Sequence, residues 1–282
     1  MLADITLAAH ALAYVIIANR RFTDLFEWGQ RSVPLSLAAE IQHRLLPGSF
    51  TCEAGQFTLA GWLEPAGEIA GDTFDFALDR ETLHLSITDA MGHGVDASLL
   101  ATTAVGALRN ARRRGAALAE QARLAHEALA EHADEGQFVT GQLVRIDLPS
   151  QTARIVNAGH PPPLRLRDGR VERVALRADP PFGSLVGGYR VQDLPLADDD
   201  RLMFVTDGLL ERNAAELPMT TLIAELRDRH PHETVRRLTE VVRAAAGGSL
   251  TDDATALCLD WHGGPPRDRQ ADSGADRRGA GD

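Results

Sequence analysis

The sequence contains no lysine, so all 29 of its basic residues are arginines, and it has only two cysteines. Cys52 and Cys258 lie far apart and lack the paired spacing of a zinc site or a disulfide framework. We expect both to be reduced, packed side chains, which favours a cytoplasmic protein. The apolar stretch over residues 7–18 is shorter than the ~20 residues that a bilayer-spanning helix needs. We expect a helix that packs against another protein surface, with a membrane-associated helix as the alternative.

Positive charge is also in short supply. The 282 residues carry a net charge of −11, and the pI is near 5.4. An acidic surface repels the phosphate backbone of nucleic acids and anionic lipid headgroups, so neither is an expected partner. The content of 44% hydrophobic and 24% charged residues is ordinary for a soluble protein with a sizeable core.

The N-terminal region, residues 6–46, has a helical pattern that Pro34 divides and that Pro47-Gly48 closes. In the second piece, Leu37, Ile41 and Leu45 fall four residues apart and predict one apolar face that needs to be covered. An isolated helix of this length is marginal in water, so we expect it to dock on the sandwich, on a second copy of the chain, or alternately on both.

After Gly48 the pattern changes to short segments of alternating apolar residues, which predict β-strands. The predicted strands are 57–63, 73–78, 83–88, 138–148, 153–157, 164–166, 171–176, 189–194, 201–205 and 254–259. Two helices are predicted over 95–132 with a break near Gly115, and further helix over 217–246 with a break at Pro231. This order is not the strict alternation of a doubly wound parallel sheet, and it favours an α+β sandwich with helices covering the sheet faces.

Acidic residues follow or precede several of these strands. They occur in Ala70-Gly71-Asp72, in Thr88-Asp89-Ala90, in Thr206-Asp207-Gly208 and in Thr251-Asp252-Asp253. Any one of them is compatible with an ordinary turn. Brought together in a fold, the four would repel one another, and divalent cations are the usual means of making such a cluster favourable. An all-oxygen set suits magnesium or manganese, whereas zinc would call for His or Cys at metal spacing.

The chain from Leu37 to Leu259 resembles a known family, the SpoIIE/RsbU-type bacterial members of the PPM (protein phosphatase 2C-like) serine/threonine phosphatases. The motifs that carry the resemblance are, in chain order, Glu40-Ile41-Gln42 with Leu45-Leu46-Pro47, Gly67-Glu68-Ile69-Ala70-Gly71-Asp72, Asp89-Ala90-Met91-Gly92-His93-Gly94, Phe138-Val139-Thr140, Asn157-Ala158-Gly159-His160-Pro161-Pro162, Thr206-Asp207-Gly208 and Asp252-Asp253-Ala254-Thr255.

The resemblance implies a layered β-sandwich flanked by helices, in the order α-β-β-α, and a metal-dependent protein phosphatase activity. It places Asp72, Asp89, Asp207 and Asp252 on metal-ligand positions and the carbonyl of Ala90 as a backbone ligand. Asp253 is the second, less favoured candidate of its pair. Two Mn²⁺ or Mg²⁺ ions would bind there and activate water for catalysis. The implied substrate is a phosphorylated anti-sigma-factor antagonist.

The sequence departs from the family at two positions. Ala70 stands where the family usually has glycine, and Ala90 stands where glycine or serine is more usual. Both leave every carboxylate in place. His93 is a candidate proton donor to the leaving group, whereas His160 is expected to close a turn. Glu68 and Asp75 are candidates for holding metal-bound waters, with surface or turn roles as the alternative. The arginines over residues 109–114 are expected to form a solvated helix face.

The predicted organisation has four parts. Residues 1–34 form an N-terminal helical segment, 35–47 a linker helix, 48–262 the phosphatase domain and 263–282 a disordered tail. We expect a homodimer through the N-terminal helices and a linker helix that couples self-association to the metal site. Two other functions stay open on the sequence: a phosphatase-fold binding module without turnover, and a hydrolase of a small phosphate ester.

Overall fold

The computed structural model describes residues 2–19, 36–66, 71–134, 136–184, 188–212, 217–248 and 250–264. The chain divides into two compact units, Met1–Leu35 and Ser36–Asp282. Helix α1, Leu2–Asn19, belongs to the first unit, and its apolar side chains, such as Leu7 and Tyr14, are exposed. None of the helices within the described ranges has the length and apolarity to span a bilayer. The predicted break at Pro34 lies outside the described residues.

The second unit is built on two antiparallel sheets. The first has six strands in the order β1-β2-β11-β10-β7-β8, and the second has five in the order β3-β4-β5-β6-β9. The strands are β1 Thr51–Glu53, β2 Phe57–Glu64, β3 Asp72–Leu78, β4 Thr82–Ala90, β5 Val139–Asp147, β6 Thr152–Ala158, β7 Leu164–Arg167, β8 Arg170–Arg173, β9 Gln192–Asp193, β10 Asp200–Val205 and β11 Ala254–Trp261.

Helices cover both outer faces of this sandwich. Their bounds are α2 Leu37–Leu45, α3 Gly94–Arg113, α4 Leu118–His132, α5 Met219–Glu225 and α6 Pro231–Ala245, with a π-helical turn at Gly208–Arg212. A cluster that includes Phe74, Ile87 and Trp261 fills the space between the sheets. A second cluster packs α5 and α6 on the first sheet, and a third packs α3 and α4 on the second sheet. The predicted α-β-β-α sandwich is therefore confirmed.

Helix α2 buries only part of the face that its apolar spacing predicts. Leu37 is 66% exposed, whereas Ala38, Ala39 and the polar Gln42 are buried. The helix is also anchored by polar contacts. Its N-cap is Ser36, whose hydroxyl accepts from the Ala39 N–H. Ile41 and Leu45 are half-buried, and Leu45 packs against the α3–α4 cluster, so the sandwich covers part of the predicted face. That a second copy covers Leu37 stays a prediction.

The predicted tail boundary needs to move a few residues toward the C-terminus. The His262 N–H donates to the Gln56 carbonyl at 2.8 Å, and the Gln56 side chain donates to the Gly264 carbonyl at 2.7 Å. Gln56 itself is fully buried. Residues 262–264 therefore close the end of the sandwich, and the predicted disorder of residues 265–282 lies outside the described residues.

Two truncations test this boundary. A chain ending at Gly264 is expected to keep the parental thermal midpoint, because the residues removed carry little apolar surface. A chain ending at Trp261 removes partners of the buried Gln56 and should lose roughly 1–3 kcal/mol. For a domain of this size, each kcal/mol of lost stability lowers the thermal midpoint by about 2–4 °C. Equal midpoints for the two chains in differential scanning calorimetry would show that the contacts of Gln56 are dispensable.

Candidate metal centre

Asp72 and Asp89 come from neighbouring strands of the second sheet and lie directly opposite each other in the β3–β4 register. Opposed residues of an antiparallel pair project to the same face, so both carboxylates point toward the other sheet. Asp72 is buried, at 3% exposure, and Asp89 is half-buried. The hairpin thus presents two carboxylates at one end of the sandwich.

Acidic residues of the first sheet lie at the same end of the sandwich. Asp207 comes just after β10 and Asp252-Asp253 just before β11, and these two strands are antiparallel neighbours. The end of one strand and the start of the other therefore meet at one edge. Gly208 packs against the second loop so closely that a Cβ there would lie 1.9 Å from the Asp253 carbonyl oxygen. Only glycine allows this approach, which brings Asp207 beside the Asp252-Asp253 pair.

The Thr206 hydroxyl joins the two halves of the site, which are Asp72 with Asp89 from the second sheet and Asp207 with Asp252 from the first sheet. Thr206 Oγ1 donates to Asp72 Oδ2 at 2.7 Å and accepts from the Thr255 N–H at 3.2 Å. Thr206 immediately precedes Asp207, and all three partners are buried. The hydrogen bond therefore ties the end of β10 in one sheet to the start of β3 in the other.

The predicted backbone ligand, Ala90, ends β4 beside Gly71. The Ala90 N–H donates to the Gly71 carbonyl at 3.1 Å. A Cβ on Gly71 would lie 2.3 Å from the Ala90 carbonyl oxygen, so a side chain at 71 would crowd this oxygen. The small Ala90 side chain is buried on the α3–α4 side. Ala70 and Glu68 lie outside the described residues.

Asp253 is held by donors from two distant segments. Gln42 Nε2 of α2 donates to its Oδ2 at 2.6 Å, and the Ala66 N–H donates to its Oδ1 at 2.8 Å. The Gln42 amide also donates to the main-chain carbonyl of Asp72 at 2.9 Å. Gln42 was not among the predicted site residues. The available signal was its place in the Glu40-Ile41-Gln42 motif together with its polar character on a helix that must dock.

Negative charge is concentrated at the end of the sandwich where these aspartates meet. Burial raises the pKa of Asp72 well above its ordinary value, and the nearby Asp89 and Asp253 carboxylates raise it further. Burial raises the pKa of Asp253 to about 6, against the opposing hydrogen bonds from Ala66 and Gln42. Bound cations would relieve this repulsion, so the chemistry of the donor set fits a hard divalent metal.

The carboxylates converge without closing into a coordination shell. Across the described ranges, the structure contains no group of three or more His, Cys, Asp or Glu side chains arranged to hold a metal ion.

Asp75 serves the fold and lies on the other face of β3. It is buried and accepts hydrogen bonds from Arg109 Nε at 3.1 Å and Arg112 Nη1 at 2.9 Å, both from α3. Arg109 Nη2 also donates to the Leu45 carbonyl at the end of α2. The expectation of a solvated face was therefore wrong for Arg109 and Arg112. These arginines clamp α2 and α3 to the sheet.

The two candidate histidines occupy different environments. His93 is exposed at the N-cap of α3, four residues after Asp89, where its side chain forms no capping hydrogen bond. His160 is buried, and its N–H donates to Asn157 Oδ1 at 2.9 Å, which closes the predicted turn. Burial lowers the pKa of His160 to about 3, so its imidazole is neutral.

Two facing antiparallel sheets with helices on both outer faces are the architecture of the PPM fold, and in this chain aspartates from both sheets gather at one end of it. The chain belongs to the SpoIIE family, because the family model described as Stage II sporulation protein E matches residues 79–262. This confirms the resemblance stated on the motifs. RsbX, whose solved structure shares the fold with a TM-score of 0.59 at 14% identity over 75% of this chain and 98% of that chain, was crystallised in complex with magnesium.

Individual relatives agree with this assignment. The chain is 24% identical over 214 residues to phosphoserine phosphatase RsbP of Bacillus subtilis, covering 74% of this chain and 51% of RsbP. It is 22% identical over 235 residues to phosphoserine phosphatase RsbU of the same organism, covering 80% of this chain and 69% of RsbU. The chain thus spans only about half the length of RsbP.

A solved structure shares the fold. The RsbU and RsbW domains of Rv1364c from Mycobacterium tuberculosis superpose with a TM-score of 0.67 at 24% identity, covering 77% of this chain and 63% of that chain.

Proposed function

We propose that this chain is a metal-dependent phosphatase that removes phosphate from phosphoserine or phosphothreonine of a regulatory protein. The observation that supports this most directly is the convergence of Asp72 and Asp89 from one sheet with Asp207 and Asp252 from the other. Such a set has no evident structural purpose, because gathering like charges destabilises a fold that does not use them.

The proposed ligands are the carboxylates of Asp72, Asp89, Asp207 and Asp252 and the carbonyl of Ala90, for two Mn²⁺ or Mg²⁺ ions. We assign Asp253 a different role from the one the motif suggested. Both of its oxygens already accept from protein N–H groups, and it is 1% exposed. It therefore anchors Gln42 and the loop before β11, and so holds its neighbour Asp252 at the site.

Two divalent cations would supply neutralisation of the phosphate's charge and activation of a water molecule for in-line attack. The chain's own residues supply orientation. Thr206 restrains the Asp72 carboxylate, and the β3–β4 pairing fixes Asp89 beside it. The exposed His93 at the start of α3 is the residue available to donate a proton to the leaving serine or threonine oxygen.

The proposed substrate is a phosphorylated anti-sigma-factor antagonist in a partner-switching pathway. RsbP and RsbU are both named as phosphoserine phosphatases, which supports phosphoserine as the target. We further propose a cytoplasmic homodimer that associates through the N-terminal segment. The exposed apolar side chains of α1, among them Leu12 and Ile17, support a role in self-association.

Metal removal provides the direct test. We expect hydrolysis of an aryl phosphate, and then of phosphoserine in a candidate antagonist protein, to require Mn²⁺ or Mg²⁺ and to stop in excess chelator. Adding Mn²⁺ to the chelated protein should also raise its thermal midpoint, since a ligand at 100 times its Kd stabilises by about 2.7 kcal/mol. Colorimetric phosphate release and calorimetry measure the two effects.

Three outcomes would overturn the proposal. Full turnover in excess chelator contradicts the metal mechanism. Binding of Mn²⁺ without hydrolysis of any phosphoprotein would favour the binding-module alternative, and turnover of small esters alone would favour the small-ester hydrolase.

A further inference from the structure

His160 lies buried between the two sheets, behind the carboxylate site, and no step above uses it. It follows β6 in the turn Asn157-Ala158-Gly159-His160 and is 2% exposed. Gly159 has φ +68, a conformation that favours glycine, and this sharp turn directs the next residue inward. A purely packing position at this depth would favour an apolar side chain, because a buried imidazole must find partners or be destabilising.

One ring nitrogen contacts the strand that faces Asp89. His160 Nδ1 and Thr140 Oγ1 are 2.9 Å apart. Thr140 lies directly opposite Asp89 in the β4–β5 register, so its side chain projects to the same face as that carboxylate. The imidazole therefore braces β5 at the position next to a proposed metal ligand.

The other ring nitrogen faces the opposite sheet. His160 Nε2 is buried and lies toward the main-chain carbonyl of Val205, outside hydrogen-bonding geometry. Val205 ends β10 and precedes Thr206, which holds Asp72, and Asp207, a proposed ligand. A single side chain thus contacts β5, which pairs with the strand of Asp89, and lies near the end of β10, which precedes Asp207.

We propose that His160 is a positioning residue that sets the spacing between the two halves of the metal site. In this role the neutral ring accepts from the Thr140 hydroxyl at Nδ1, and its Nε2–H faces the main-chain carbonyl of Val205. The inference deepens the proposed function and rests on it. It requires no proton transfer, and the ring touches neither substrate nor metal.

Three variants test the inference. His160→Phe fills the site but removes both nitrogens, His160→Gln retains a polar group, and Thr140→Val removes only the hydroxyl. Mn²⁺ affinity is measured by isothermal titration calorimetry, turnover of aryl phosphate is measured against Mn²⁺ concentration, and the thermal midpoint is recorded in chelator.

We expect His160→Phe and Thr140→Val to weaken Mn²⁺ binding roughly 10–100-fold, the range for groups that orient ligands. Turnover at saturating Mn²⁺ should recover substantially, and His160→Gln should fall between parent and His160→Phe.

The matched control is His126→Phe. His126 is also partly buried and accepts from Tyr189 at 3.0 Å, but it lies on α4 away from the carboxylates. We expect it to leave Mn²⁺ affinity unchanged. If His160→Phe unfolds, Thr140→Val decides the question.

Parental Mn²⁺ affinity in both Thr140→Val and any folded His160 variant would overturn the positioning role. So would a loss of affinity no larger than that of His126→Phe. A parent protein that binds no Mn²⁺ and releases no phosphate would instead overturn the proposed function itself.

Discussion

Asp89→Asn is expected to lower turnover by at least about 100-fold while leaving the domain folded. The substitution keeps the shape of the side chain and the β3–β4 pairing, but it removes one negative charge from a set of carboxylates that share the same ions. Asp89 also raises the pKa of the buried Asp72, so its loss relieves repulsion in the metal-free protein. Folding should therefore not suffer. Steady-state phosphate release at saturating Mn²⁺, together with far-ultraviolet circular dichroism, measures both effects.

The same hairpin offers a matched control in Asp79→Asn. Asp79 lies at the opposite end of the β3–β4 pair, where its Oδ1 accepts from the Glu81 and Thr82 N–H groups. An asparagine oxygen can accept the same two hydrogen bonds, so this variant should behave as the parent. An Asp89→Asn protein that turns over at the parental rate would remove Asp89 from the catalytic set.

The strands and helices that form the site could be predicted from the sequence, because alternating apolar residues and glycines at turns are local signals. The pattern predicted strands at 73–78 and 83–88, and the structure has Asp72–Leu78 and Thr82–Ala90. The break near Gly115 was also confirmed, since this glycine adopts φ +73 between α3 and α4. Strand β1 was missed because its three residues are too few to show a period.

The contacts between these strands and helices could not be predicted from the sequence in the same way. Gln42 and Asp253 are separated by 211 positions, and Asp75 and Arg109 by 34. Periodicity predicts which face of a helix is apolar, but it does not show that one polar side chain will find a buried carboxylate. At α2 the buried residues include the polar Gln42, whereas Leu37 of the predicted apolar face is exposed. Similarly, the arginines of α3 looked like a solvated face because their buried partner lies on another element.

These long-range contacts fix α2 to the site at several points. The Ser98 hydroxyl donates to the Ala38 carbonyl at 3.1 Å, Arg109 donates to the Leu45 carbonyl, and Gln42 reaches Asp72 and Asp253 between them. A movement of α2 would therefore change the support of two aspartates at once. This is the physical basis on which we keep the predicted coupling between the linker helix and the metal site.

Gln42→Leu is expected to lower Mn²⁺-dependent turnover roughly 10–100-fold, the effect typical of groups that orient metal ligands. Leucine fits the same buried space but cannot donate, so Asp253 Oδ2 and the Asp72 carbonyl each lose a partner. Asp253 would then be a buried carboxylate without its side-chain donor, although the Ala66 N–H would still donate to its other oxygen. Its charge would be less stabilised, and the loop that carries Asp252 would lose its tie to α2. Turnover measured as a function of Mn²⁺ concentration should show both a weaker metal response and a lower maximum.

The control for this prediction is Gln121→Leu, which makes the same change elsewhere. Gln121 is also a buried glutamine, at 5% exposure, and its Nε2 donates to the Ala116 carbonyl at 2.9 Å. It lies on α4, and this hydrogen bond holds the main chain just before that helix rather than a strand-end aspartate. Both variants lose a buried amide donor and should lose stability, Gln42→Leu the more because one of its two hydrogen bonds is to a carboxylate, whereas only Gln42→Leu should change the Mn²⁺ dependence. Identical metal responses in the two variants would mean that α2 merely packs on the sandwich, and the coupling of this helix to the carboxylates would have to be abandoned.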